Sequence, residues 1–188
     1  MKQIHTFIGI PIAETISTVG EEIQKSYQLR KYYKKTVNKE DFHITLLFLG
    51  SWEMEKRVKL CNRLELKLGI IKNFPISFTK VDYFGNENHP RVFYLGIEAE
   101  IRLNQLQAIV KSEAEQMGFQ EFHRKYHPHV TLAKKWYDES QSKPVDWELP
   151  AKITNRQQTI DKICLYQIHP SRESMYERVS SISLLMDD

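Results

Sequence analysis

The chain has 188 residues, of which 41% are hydrophobic and 27% charged, and its formal net charge is +3 at pH 7. This composition is ordinary for one soluble globular domain, and so small a charge does not by itself predict nucleic-acid binding, although it does not oppose an anionic substrate. No stretch is apolar for the length that a membrane helix needs, and residues 1–15 lack a signal-peptide cleavage pattern, so we expect a cytoplasmic protein.

The first part of the chain predicts a strand followed by an amphipathic helix. Residues 4–10 form a compact apolar run that is typical of a buried strand. Apolar residues then recur at helical spacing, which predicts a helix from about residue 13 to about residue 32. Its end, residues 30–35, reads Arg-Lys-Tyr-Tyr-Lys-Lys. This segment is either a solvated helix end whose cations suit the helix dipole or a basic, aromatic patch that contacts RNA.

A polar connector at residues 37–41 leads into a predicted strand at 42–50, which reads Phe-His-Ile-Thr-Leu-Leu-Phe-Leu-Gly. Beyond it, helical stripes predict helices over residues 54–68 and 103–117, the second ended by Gly118. We expect a loop at 82–90 that carries Tyr83 and Phe84, and a turn at 169–174. Further strands are predicted at 74–81, 91–97, 145–149, 159–168 and 179–185, and one begins at His129.

Cys61 and Cys164 are the only cysteines. Cys61 lies in a helical pattern and Cys164 in a strand-like run. We therefore expect two buried thiols in a reducing compartment and no disulfide.

One short phrase occurs twice, as His43-Ile44-Thr45-Leu46 and as His129-Val130-Thr131-Leu132. Side chains alternate between the two faces of a strand, so the histidine and threonine of each copy share one face while the aliphatic residues point into a core. Each strand would then present an imidazole and a hydroxyl about 7 Å apart along its axis.

The surroundings of the phrase are repeated as well. Residues 7–10 read Phe-Ile-Gly-Ile and residues 94–97 read Tyr-Leu-Gly-Ile, and each run is followed by one amphipathic helix and then by a His-x-Thr strand. We expect an internal duplication within a single domain of residues 1–188. A pseudo-twofold axis between the two copies would place the equivalent strands on either side of one cleft, where the two imidazoles converge.

Two histidines and two hydroxyls are suited to acid–base chemistry at a phosphodiester. Histidine titrates at about pH 6.5 when it is unperturbed, so one ring can be charged while the other is neutral. The neutral ring can remove a proton from water and the charged ring can protonate a leaving oxygen, while the hydroxyls bind non-bridging oxygens. We expect no metal and no other cofactor, because the scheme needs none. His127 and His129, with His123 nearby, have no cysteine or carboxylate at ligand spacing, and the first phrase has no matching third ligand.

These features resemble the 2H phosphoesterase superfamily and, within it, the bacterial and archaeal RNA 2',3'-cyclic phosphodiesterases, also called 2'-5' RNA ligases. The resemblance rests on residues 42–50, 90–96 and 127–133 and extends over nearly the whole chain. It implies hydrolysis of a terminal 2',3'-cyclic phosphate to a 2'-phosphomonoester, with weak 2'-5' joining as a side activity. RNA ends or small cyclic nucleotides would be the partners, with no membrane and no obligate protein partner.

The resemblance also implies residue roles. His43 would be the general acid and His129 the general base, while Thr45 and Thr131 would hold phosphoryl oxygens. Lys134 stands where family members usually carry arginine; it keeps the charge but loses the bidentate fork. Arg91 matches a family arginine at the strand entry and is a further candidate for substrate binding. The aromatic residues Tyr83 and Phe84 would either stack on the terminal base or belong to the core.

The fold class that we expect is α+β, with two similar lobes, antiparallel-rich sheets, helices on the outer faces and a central cleft. A parallel doubly wound sheet is disfavoured because the later connections are too short for crossover helices. Two other functions stay open. One is a phosphodiesterase for 2'-5' oligoadenylate or another small cyclic nucleotide, and the other is a non-catalytic RNA-binding module.

Overall fold

The structure is a computed structural model that describes residues 4–120 and 125–186. It contains four α-helices and nine strands among these residues. The strands are β1 Thr6–Pro11, β2 Tyr33–Thr36, β3 His43–Gly50, β4 Phe74–Gly85, β5 Pro90–Ile97, β6 His129–Trp136, β7 Ala151–Ile160, β8 Lys162–Ile168 and β9 Tyr176–Ser183. The helices are α1 Glu14–Ser26, α2 Leu29–Tyr32, α3 Met54–Leu68 and α4 Ile101–Glu115, and a 3-10 turn covers Lys39–Asp41.

All nine strands belong to one sheet with the order β7-β4-β5-β6-β3-β1-β8-β9, and β2 pairs with β6 beside this path. Every pairing between these strands is antiparallel. The α+β prediction is therefore confirmed, and the doubly wound alternative is wrong. The order consists of two sets of four strands that meet between β6 and β3. Two sets of equal size are what a repeated unit would produce. The duplication within one domain stays a prediction.

The hydrophobic core lies between one face of the sheet and the three long helices. Ile44 and Leu46 of β3 and Val130 and Leu132 of β6 are buried in the same cluster as the apolar faces of α1, α3 and α4. The alternation predicted for the two His-x-Thr strands is thus confirmed on its apolar side. The opposite face carries a second, smaller buried cluster of Phe7, Cys164 and Tyr166.

The sheet is strongly curved, because β7 and β8 lie in different halves of the strand order yet are joined by Asp161 alone. The end of β7 approaches β1, where Gln158 Nε2 donates to the Pro11 carbonyl at 2.7 Å and Gln158 Oε1 accepts from the Ala13 N–H at 2.9 Å. The single strand predicted at 159–168 is therefore two strands. The break falls at Asp161, a residue type that is disfavoured in strands.

Three other expectations needed correction. The strand predicted at 145–149 is wrong: the Trp147 N–H closes a turn on the Pro144 carbonyl, and Val145 is almost fully exposed. The helix predicted to about residue 32 ends at Ser26, since Gln28 is left-handed with φ of 49° and one short turn, α2, precedes β2. The segment 82–90 is strand as far as Gly85.

The helix predicted at 54–68 is confirmed, and Gly118 follows α4 with φ of +82°. Cys61 and Cys164 are buried free thiols, as expected. No helix in the described part of the chain is long and apolar enough to cross a membrane.

Candidate active site

The two His-x-Thr phrases lie on neighbouring strands, β3 and β6, which pair antiparallel through Ile44 and Val130. This register sets His43 beside Thr131 and Thr45 beside His129, with all four side chains on the face away from the helices. Each of the four is partly exposed. The strands expected on either side of a cleft are therefore direct neighbours, and the antiparallel pairing itself brings the two phrases together.

The ring of His43 is held by two hydrogen bonds. Nδ1 donates to the backbone carbonyl of Asp41 at 2.7 Å, and Nε2 lies 3.1 Å from the Thr45 hydroxyl. A carbonyl oxygen can only accept, so the bond to Asp41 fixes the proton on Nδ1. In the neutral ring Nε2 is therefore an acceptor, and it is the nitrogen that can gain or lose a proton.

His129 repeats this arrangement. Its Nδ1 donates to the backbone carbonyl of His127 at 2.8 Å, again two residues before the histidine. Nε2 is consequently the working nitrogen of this ring as well. Main-chain carbonyls thus set both rings in the same tautomer. A motif of side chains in the sequence does not reveal this role of the main chain.

Aromatic side chains enclose His43. Phe7 packs against it with ring centroids 4.5 Å apart, and Tyr176 meets it edge-on at 4.9 Å. Tyr166 stacks on Phe7 at 4.8 Å and lies 5.9 Å from the His43 ring. This half of the site is therefore a mainly aromatic socket that leaves the ring only partly exposed.

The surroundings of His129 are more polar. Phe84 meets the ring edge-on with centroids 4.9 Å apart, and Tyr94 lies at 5.3 Å. The Tyr94 hydroxyl is 3.2 Å from His127 Nε2, and Asp82 lies across from Tyr94 in the β4–β5 pairing. Of the two aromatic residues proposed from the sequence, Phe84 thus packs beside His129 and not in the helix-facing core.

The electrostatic surroundings disfavour charge on both histidines in the free protein. The pKa of His43 is lowered to about 4, chiefly because burial disfavours the charged ring; the hydrogen bond to Asp41 opposes this effect, and the positive charge of Lys134 adds to it. Burial also lowers the pKa of His129, and the bond to the His127 carbonyl acts in the opposite direction. An anion bound between the rings would reverse part of this shift, because it favours imidazolium.

Lys134 reaches the same face of the sheet. Its Nζ lies 3.4 Å from the Tyr176 hydroxyl, and its charge acts on His43. Partial burial lowers the pKa of the Lys134 ammonium, and the Asp41 carboxylate opposes that effect. Arg91 is exposed on β5 at a bulge, since Phe84 pairs with Val92 and Gly85 with Pro90, so strand alternation does not assign its side chain to a face. A contact between Arg91 and substrate stays a prediction.

Sequence reasoning missed Asp41, whose carboxylate is buried with only 4% of the residue exposed. Oδ1 accepts hydrogen bonds from the Ser174 hydroxyl at 2.9 Å and the Tyr176 N–H at 3.1 Å, and Oδ2 accepts from the Met175 N–H at 2.7 Å. One residue therefore ties the start of β9 to the carbonyl that orients His43. Its partners lie so far away along the chain that no local pattern could have indicated them.

Comparison with known proteins places this geometry among related chains. The model of the 2'-5' RNA ligase superfamily matches residues 15–172. A Bacillus subtilis protein named RNA 2',3'-cyclic phosphodiesterase is 33% identical over 180 residues, which are 96% of each chain. A Geobacillus stearothermophilus protein of the same name is 30% identical over 98% of this chain, which spans 59% of that longer relative.

Solved structures share the fold. Escherichia coli LigT complexed with 3'-AMP superposes with a TM-score of 0.80 at 21% identity, covering 96% of this chain and 98% of that one. Thermus thermophilus TT0787 superposes with a TM-score of 0.78 at 22% identity, covering 98% of this chain and 100% of that one. At such identities the likeness concerns the architecture alone.

Proposed function

This chain belongs to the 2'-5' RNA ligase superfamily, and from that premise we propose that it is an RNA 2',3'-cyclic phosphodiesterase which opens the cyclic end to a 2'-phosphomonoester. The observation that carries the proposal is the placement of His43 and His129 on adjacent strands of one sheet face. In each ring Nδ1 is bonded to a main-chain carbonyl, so Nε2 is the nitrogen that exchanges a proton. A binding module would not need two histidines held in matching tautomers, whereas acid–base catalysis does.

The reaction is a displacement at phosphorus. Water attacks the phosphorus atom while Nε2 of His129 accepts one of its protons, and the bond between phosphorus and O3' breaks as Nε2–H of His43 protonates that oxygen. A 2'-phosphate and a free 3'-hydroxyl result. The hydroxyls of Thr45 and Thr131 bind the non-bridging oxygens, and the ammonium of Lys134 balances the charge that develops on them.

The depressed pKa of His43 is compatible with its role as the acid once the substrate is bound. In the free protein the ring is neutral near pH 7, since its pKa is about 4. The negative phosphodiester favours the charged ring and raises that pKa in the complex. The aromatic socket around His43 limits the contact of the ring with bulk water. Substrate binding and protonation of His43 are therefore coupled.

Product analysis tests the proposal directly. An RNA oligonucleotide that ends in a 2',3'-cyclic phosphate, incubated with the protein in EDTA, is expected to yield a 2'-phosphate end as identified by phosphorus NMR. Formation of a 3'-phosphate would contradict the assigned direction of ring opening. A strict requirement for an added divalent metal would contradict the two-histidine mechanism.

A second prediction concerns Asp41 as a positioning residue. Asp41→Asn removes a negative charge that favours protonated His43, and it places an amide against the Met175 N–H. We expect kcat/KM at pH 7 to fall about tenfold, as a shift of one pKa unit would give. In the pH profile, the limb that belongs to His43 is expected to move to lower pH.

Ser174→Ala is the matched control, because it removes one hydrogen bond from the same carboxylate without changing its charge. It is expected to lower the melting temperature slightly and to leave the pH limb in place. If Asp41→Asn also lowered only the melting temperature, with kcat and the limb unchanged, Asp41 would hold the fold and not the histidine.

A further inference from the structure

The basic segment at residues 30–35, which the sequence left with two interpretations, is joined in the structure by cations from the far end of the chain. Residues 29–32 form α2, and residues 33–36 form β2, which pairs with the last part of β6. Lys35 lies directly across from Lys134 in this pairing. The basic strip, as we call this surface, consists of Arg30, Lys31, Lys34, Lys35, Lys134 and Lys135.

The charges of the strip are not neutralised within the part of the chain that the structure describes. Neither Arg30, Lys31, Lys35 nor Lys135 forms a salt bridge there, and all four are exposed. Lys34 lies over the ring of Tyr137 at 6.0 Å, and its charge reaches Asp138, whose carboxylate is already bonded to Ser140. Lys34 and Lys35 alternate between the two faces of β2, an edge strand, so these cations flank one edge of the sheet, where like charges repel each other unless an anion binds them.

A solvated helix end does not explain this arrangement. Cations favour the last turn of a helix through its dipole, but only Arg30 and Lys31 stand in that position. Lys34 and Lys35 lie on a strand, and Lys135 comes from another strand about a hundred residues away. The clustering is produced by the β2–β6 pairing, which carries the charge from α2 up to the candidate active site.

Lys134 belongs both to the basic strip and to the candidate active site. On one side it faces Lys35 across a strand spacing of about 4.8 Å. On the other side its ammonium approaches the Tyr176 hydroxyl and acts on His43. The strip therefore begins beside His43. Tyr137, 65% exposed beside Lys34, adds an aromatic ring to the row of cations.

We propose that the basic strip binds the sugar–phosphate backbone of the RNA strand that leads to the cyclic end. Rows of cations with interleaved exposed aromatic rings are typical of surfaces that bind single strands without reading their sequence. The inference rests on the proposed function and adds to it a surface that binds the RNA strand beyond the cyclic end. The protein would prefer an RNA oligomer to a mononucleotide 2',3'-cyclic phosphate, because only the oligomer reaches Lys34, Lys35 and Tyr137.

The test compares the double variant Lys34→Gln/Lys35→Gln with the parent protein on two substrates. One is a mononucleotide 2',3'-cyclic phosphate, and the other is an RNA of about ten nucleotides with the same end, within the usual span of single-strand sites. We expect KM for the oligomer to rise about tenfold with kcat retained, since lost backbone contacts weaken binding and not chemistry. Turnover of the mononucleotide is expected to stay unchanged.

Salt dependence supplies a second readout. The slope of log KM for the oligomer against log salt concentration is expected to become shallower by about 1.4, at about 0.7 for each lost phosphate contact. The control variant is Lys59→Gln/Lys67→Gln, which removes the same charge from α3 on the other face of the sheet. If both double variants gave the same KM and the same slope, the strip would not contact RNA.

Direct binding separates this inference from the proposed function. Fluorescence anisotropy with the same RNA, ending in a 2'-phosphate, measures the strip without any turnover. Weaker binding by Lys34→Gln/Lys35→Gln than by the α3 control supports the strip even if neither substrate is hydrolysed, an outcome that would contradict only the phosphodiesterase. Equal binding by both variants overturns the strip even if hydrolysis proceeds.

Discussion

Replacing His43 or His129 with alanine is expected to lower kcat on an RNA 2',3'-cyclic phosphate by about 10²–10⁴-fold, the range that a positioned general acid or base contributes. The two single variants should lose comparable activity, because the displacement needs both proton transfers. Since both rings are partly exposed and each rests on a main-chain carbonyl, neither substitution opens the helix-facing core. The melting temperature is therefore expected to change little.

The double variant His43→Ala/His129→Ala sharpens this expectation. Residues that act as one unit lose activity non-additively, so the double variant is expected to be about as slow as the slower single variant. His89→Ala is the control, because this histidine lies in the turn between β4 and β5, outside the site. If either single variant kept a kcat near that of the parent, its role in proton transfer would be wrong.

The apolar side of the candidate site could be predicted from the sequence because strand alternation is local. If the two histidines share one face of the sheet, Ile44 and Val130 must lie on the other face, in the core. Both aliphatic residues are buried there. The same local reasoning gave the helix at 54–68, where apolar residues keep a clear helical period. What the repeated phrase could not give is the distance between its copies, because the pairing of β3 with β6 is a long-range contact.

The parts that escaped prediction depend on contacts between distant residues. The carboxylate of Asp41 binds Ser174, Met175 and Tyr176, and no periodicity links these positions to residue 41. The strand predicted at 145–149 failed for a related reason. Trp147 is buried against aromatic rings of other elements while its neighbours form a turn, so its apolarity reflects tertiary packing and not strand structure.

The two halves of the site share a backbone frame but differ in polarity. Phe7 stands beside His43 in the position that Tyr94 occupies beside His129, since both residues begin the repeated run of β1 and β5. Only Tyr94 carries a hydroxyl, and it connects to His127 and Asp82. The shared frame sets both tautomers, and burial lowers the pKa of both histidines, so the difference between the two halves lies in the side chains around each ring.

Lys134 is the site at which we expect the second large effect. Lys134→Met is expected to lower kcat/KM by about 10²-fold, the loss that follows removal of one preorganised group that stabilises developing charge. Because the Lys134 ammonium lowers the pKa of His43, its removal is also expected to move the His43 limb of the pH profile to higher pH. A mere loss of folding would not shift that limb.

Charge and geometry at this position can be separated with Lys134→Arg, which keeps the cation and supplies the bidentate fork. We expect it to retain activity within about tenfold of the parent, because the phosphoryl oxygens still face a positive group. Lys59→Met, on the exposed face of α3, controls for loss of a lysine far from the site. The role of Lys134 would be refuted if Lys134→Met and Lys59→Met hydrolysed a mononucleotide 2',3'-cyclic phosphate equally well. This substrate is chosen because it requires the candidate active site but not the basic strip.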